Sequence, residues 1–116
     1  MRQAGIIAAA GVYALRHMVD RLAEDHANAQ ILAAGISSLP GVVLDPPTVE
    51  TNIVVFNVGS TEIAERVAAA LEPEGVLVSD FGGGRLRFVT HYGITADDCH
   101  RAVAALRKAY VAGARL

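Results

Sequence analysis

Apolar residues run almost without interruption from Ala4 to Leu15, and polar positions return at Arg16 and His17. No polar stripe divides this segment, so the helix it predicts needs cover on most sides, and a small domain has little material to supply it. From His17 the pattern changes to helical spacing. Met18, Leu22, His26 and Ala29 fall on one predicted inner face, with Ile31 and Leu32 beyond, while Asp20, Arg21, Glu24, Asp25 and Asn28 fall elsewhere. This amphipathic helix is expected to end near Ser37, ahead of the breaker "LPG". Val42–Leu44 then reads as a short strand stopped by "DPP". Thr51–Val58 gives the strongest strand signal, and its unbroken Ile-Val-Val-Phe run predicts burial on both faces.

The second half repeats the alternation of types. "STEIAERVAAALEPEG" predicts a short helix with Ser60 or Thr61 as N-cap and Pro73 just past its end. Val76–Phe81 and Arg85–His91 predict two more strands, joined by a hairpin at Gly82–Gly84. Side chains alternate along a strand, so Arg85, Arg87, Val89 and His91 share one face and Leu86, Phe88 and Thr90 the other. Thr95 and Asp98 stand in capping-box spacing at the start of a last helix, whose inner face is predicted to carry Val103, Leu106 and Tyr110. The order is helix, helix, strand, strand, helix, strand, strand, helix. That predicts an α+β fold: N-terminal helices, then a small, mainly antiparallel sheet covered by helices.

Composition sharpens this in a few respects. A length of 116 residues suits one core. The hydrophobic fraction is 53% but only 5% is aromatic, so the excess is Ala and Val, which suggests surface meant for a partner. A net charge of -2 gives no electrostatic reason to expect nucleic acid or an anionic membrane, and no apolar run approaches a membrane span. The single cysteine, Cys99, excludes an internal disulfide and makes a reducing cytoplasm the expected location.

The candidate chemistry is sparse. The triple glycine leads into a strand and not a helix, so it reads as a tight turn before it reads as a phosphate loop. His17, His26, His91 and His100 show no metal-ligand spacing; His17 and His100 read as solvated and His26 as a packing histidine. Cys99 lies in the first turn of a helix, but no base is placed with it, and it reads as structural. Glu24, Asp25 and His26 read as a solvated face. Nine arginines stand against a single lysine, Lys108. Arg87 sits mid-strand on a partly apolar face, where a guanidinium needs an anion. That anion is either a carboxylate of the fold or one from a ligand.

The strings "MRQAGIIAAAGVYAL", "RLAEDHANAQILAAGI", "TNIVVF" and "RFVTH" together resemble the C-terminal part of the low-specificity L-threonine aldolases, in order and along nearly the whole chain. The resemblance implies a pyridoxal-phosphate (PLP) enzyme of the aspartate-aminotransferase fold, a carbon–carbon lyase that cleaves L-threonine or L-allo-threonine to glycine and acetaldehyde. It implies that residues 1–38 end a large domain and link to a small one formed by residues 39–116. It implies that Arg87 binds the substrate α-carboxylate and that Arg2 lies near the cofactor phosphate. The family's Schiff-base lysine has no counterpart here, so the chain is expected to be a fragment without catalytic residues, inactive alone and without tight cofactor binding. A homo-oligomer is expected, with no metal, nucleic-acid or membrane partner. The alternative is a stand-alone, amino-acid-binding regulatory module.

Overall fold

Leu86 and Phe88 are buried while Arg85 and Val89 are exposed and Arg87 is half-buried, so the strand that holds them divides core from open surface. The computed structural model describes residues 2–114. Its helices are α1 (Ala4–His17), α2 (Leu22–Ser37), α3 (Thr61–Leu71) and α4 (Ala96–Ala114). Its strands are β1 (Val43–Leu44), β2 (Ile53–Asn57), β3 (Ser79–Gly82) and β4 (Arg85–Val89). They form one sheet in the order β1-β2-β4-β3 with every neighbouring pair antiparallel, which makes the fold α+β.

The core fills the space between one face of this sheet and the helices. Val54, Phe56 and Leu86 meet Ile36 from α2, Val67 and Leu71 from α3, and Leu106 from α4, all fully buried. Each such side chain contributes about 1.5–3 kcal/mol of burial. Phe56 and Phe88 add a tilted ring pair with centroids 5.3 Å apart. Gly35 lets α2 and α4 close: a Cβ there would lie 2.5 Å from the Val103 side chain. The open face carries Ile53, Val55, Val89, Phe81 and Arg87. The continuous apolar run in β2 is therefore buried on one side only, contrary to the two-sided burial its composition predicts, because α2, α3 and α4 all pack on the same side.

Local signals account for most boundaries. The Ser60 hydroxyl accepts from the Ile63 N–H and caps α3. The Thr95 N–H donates to Asp98 Oδ2 at 3.0 Å and the Asp98 N–H to Thr95 Oγ1 at 3.1 Å, a reciprocal capping box at the start of α4. Gly83 and Gly84, both at positive φ, make the two-residue turn of the β3–β4 hairpin. Strand extents differ from expectation: β1 has two residues, and β3 begins at Ser79 and not at Val76. On α2 the buried face is Asp25, Asn28, Ala29, Leu32, Ala33 and Ile36, and His26 is exposed. The expected packing histidine is thus on the solvent side. Asp25, expected in water, is buried because Arg21 pairs with it at 2.5 Å.

Thr90 explains that inversion. Its buried hydroxyl donates to the Asp25 carbonyl at 2.6 Å, its N–H donates to the Asn52 carbonyl, and Asn52 Nδ2 donates back to the Thr90 carbonyl at 2.7 Å. Asn28 Nδ2 reaches the Ile94 carbonyl at 3.1 Å. Polar contacts therefore pin the start of α2 to the end of β4, where the apolar pattern alone places Met18, Leu22 and His26.

The first helix stands apart, with none of its residues buried. Ile6, Ile7, Tyr13 and Leu15 are each more than 60% exposed, a helix about 21 Å long without cover. Contiguous apolar surface of this kind drives association. Sedimentation over a concentration series should show the chain associating, and Ile7→Glu should shift it towards monomer. Because Ile7 touches no core residue, the same substitution should change unfolding free energy by less than about 0.5 kcal/mol.

The capping box gives a second expectation. Thr95→Ala should cost about 1 kcal/mol in urea unfolding near neutral pH. The Thr95 N–H, then its hydroxyl, and more weakly Arg101 hold the Asp98 carboxyl below its ordinary range. A depressed folded value means that this contribution is complete above the ordinary carboxylate range and is lost as pH falls through the lowered one. The difference between Asp98→Asn, which removes the titrating carboxylate, and the unaltered chain should therefore shrink in acid.

Candidate functional site

Arg87 occupies the middle of β4, opposite Val55 of β2 on one side and Ser79 of β3 on the other. Its guanidinium carbon lies 4.6 Å from the centroid of the Phe81 ring, and Nη2 lies 3.5 Å from Ser79 Oγ. Its Nε is shielded from solvent and has no hydrogen-bond partner. An unmet buried donor of this kind costs about 1–3 kcal/mol. The ion pairs among the described residues are Arg21–Asp25, Arg101–Asp98 and Lys108–Glu74. None engages Arg87. Of the two anions the sequence leaves open, the carboxylate of the fold is not found among the described residues.

Arg2 is exposed and precedes α1. Arg85 shares the Arg87 face and is exposed. Lys108 pairs with Glu74 at 3.0 Å on the helical side of the molecule. His17, His91 and His100 are exposed, and no cluster of three or more His, Cys, Asp or Glu side chains able to hold a metal occurs among the described residues. No helix among them is long and apolar enough to cross a membrane.

The triple glycine is a turn. A Cβ on Gly84 would lie 2.9 Å from the Ser60 backbone nitrogen and 3.1 Å from Asn57 Oδ1, so the hairpin needs glycine there to pack on the β2–α3 connection. A groove of about 640 Å³ runs between Leu77, the end of β4 at Val89 and His91, and α4 at Cys99 and Ala102. Arg87 does not line it.

Sequence reasoning found Arg87 but missed Ser79 and Phe81. The signal was present: residues 79 and 81 alternate onto one face, and the hairpin lays that face beside Arg87. Cys99 is buried, as a structural cysteine should be, and burial followed by the nearby Asp98 charge pushes its thiol above the ordinary range. The native chain should therefore react with iodoacetamide far more slowly than the urea-unfolded chain at the same pH, as mass spectrometry of the alkylated protein would show.

The chain is a small antiparallel α+β unit with, among the described residues, a guanidinium outside every ion pair on its open sheet face and an apolar helix none of whose residues is buried. The chain belongs to the beta-eliminating lyase family, whose pattern matches residues 1–58. It is similar to low-specificity L-threonine aldolase 1 of Arabidopsis thaliana, with 33% identity over 94% of this chain and 31% of that protein. It is similar to the low specificity L-threonine aldolase of Escherichia coli K12, with 35% identity over 97% of this chain and 32% of that protein. The chain thus spans about a third of the length of these relatives. A solved structure of a mutant of M. tuberculosis Rv3290C shares the fold, with a TM-score of 0.66 and 24% identity over 77% of this chain and 21% of that one.

Proposed function

We propose that this chain is the part of a threonine aldolase that holds the substrate's α-carboxylate, through Arg87. The carrying observation is a half-buried guanidinium with no carboxylate partner among the described residues, set on the sheet face that also carries Ile53, Val55, Phe81 and Val89. A planar fork of this kind takes a carboxylate bidentately, and fixing that group orients the bond to be cleaved. The whole protein would split L-threonine or L-allo-threonine into glycine and acetaldehyde, with residues 1–38 leading out of its large domain and residues 39–116 forming the small one. The threonine aldolase family depends on PLP, which serves as an electron sink when bound. This chain's residues do not make a complete site for it. Lys108 is tied to Glu74 in the helical layer, and Arg2, the residue for the phosphate, is exposed ahead of α1. The regulatory-module reading has less support, because an independent module would carry a polar outer face on α1.

The test is a chimera in which this chain replaces the matching third of the E. coli relative. It should bind the cofactor and cleave L-threonine. Arg87→Lys in the chimera should retain cofactor absorbance and lose at least about tenfold in kcat/KM, since a charge-assisted contact contributes about 1.5–3 kcal/mol. Near-unchanged kinetics would make Arg87 structural, and loss of cofactor with activity would assign it to the phosphate end.

A further inference from the structure

A guanidinium offers a carboxylate two bidentate edges, one through Nε and a neighbouring Nη, the other through its two terminal nitrogens. In Arg87 the first edge is closed, because Nε is sealed from solvent. One face of the plane is covered by the Phe81 ring. The outer end remains, and there Nη2 approaches Ser79 Oγ. A serine hydroxyl that accepts from Nη2 still has its own proton to donate.

The hairpin places both neighbours. Ser79 pairs directly across from Arg87. Asp80 pairs with Leu86 and Gly82 with Arg85, which leaves Phe81 as the extra residue of a β-bulge. A bulge re-aims a side chain and bends its strand. The Asp80 carboxylate accepts from the Gly82 N–H at 2.7 Å and holds this local shape. Phe81 is thereby kept over the guanidinium although it lies at the sheet edge, 44% exposed.

We propose that Ser79 is a further carboxylate-binding residue and Phe81 a positioning residue. Resting on the reading of Arg87 as the carboxylate clamp, the amino-acid carboxylate is taken end-on by Nη1 and Nη2, and the Ser79 hydroxyl donates a third hydrogen bond. Phe81 fixes the plane of the fork so that the carboxylate arrives edge-to-edge and not over the ring. No covalent step is involved.

The experiment uses the full 116-residue chain labelled with ¹⁵N-arginine, with glycine as the probe. Titration should move the Arg87 Nη signals more than Nε. Ser79→Thr should bind glycine as the unaltered chain does, and Ser79→Val, which matches threonine in shape but lacks the hydroxyl, about fivefold more weakly. Phe81→Leu should weaken binding and shift the Arg87 signals before any glycine is added, and Phe81→Tyr should restore both. The backbone amide spectrum checks that each variant is folded. If Arg87→Lys binds glycine undiminished, the clamp reading itself fails. If Arg87→Lys abolishes binding while Ser79→Val and Phe81→Leu bind normally, the clamp stands and this proposal is overturned. A response led by Nε, or no response of Arg87 to glycine, overturns it as well.

Discussion

The two-residue repeat of β4 is the constraint on which the rest depends. It sends Leu86, Phe88 and Thr90 into the helical layer and Arg85, Arg87 and Val89 to the other side. A shift of one residue in its register would exchange the two sets, burying a guanidinium against Phe56 and the helices. Register is held from both flanks, by β2 along the whole strand and by the glycine turn that fixes β3. The same alternation makes the core and presents the candidate site, so neither can drift without the other.

Thr90 extends that coupling into the helices. Its hydroxyl reaches a backbone carbonyl in the first turn of α2, while its own backbone pairs with Asn52. The inner row of β4 is therefore apolar at Leu86 and Phe88 and becomes a polar latch at Thr90. Arg87 lies between Phe88 and Leu86 in sequence, anchored on the opposite face, and its backbone position follows from contacts it does not itself make.

Much of this is legible in the amino-acid sequence. The α+β order, the N-caps at Ser60 and Thr95, the hairpin at Gly82–Gly84 and the division of β4 into two faces rest on local rules, which act over a few residues. Other features rest on what lies across space. Composition predicted two-sided burial for Ile53–Phe56, but whether a second layer covers a sheet is decided by where the helices go. Helical spacing selected His26 over Asp25, because apolar periodicity cannot register a carboxylate paired with Arg21 or a carbonyl that Thr90 satisfies. Arg87 was legible as a cation in need of an anion. Alternation along β3 puts Ser79 and Phe81 on its face, but the bulge beside Phe81 is not legible, because no residue pattern announces its position.

The sheet's margins bear on how this chain meets other molecules. One edge strand has two residues, and the other has four and is bent by the bulge and closed by glycines. Margins so short and irregular offer little template for the addition of further strands. Sticky surface is concentrated instead on a helix, whose backbone groups are already satisfied within itself. Crowding this protein therefore favours side-chain packing between preformed helices, which reverses on dilution, over the backbone zippering that leads to fibres.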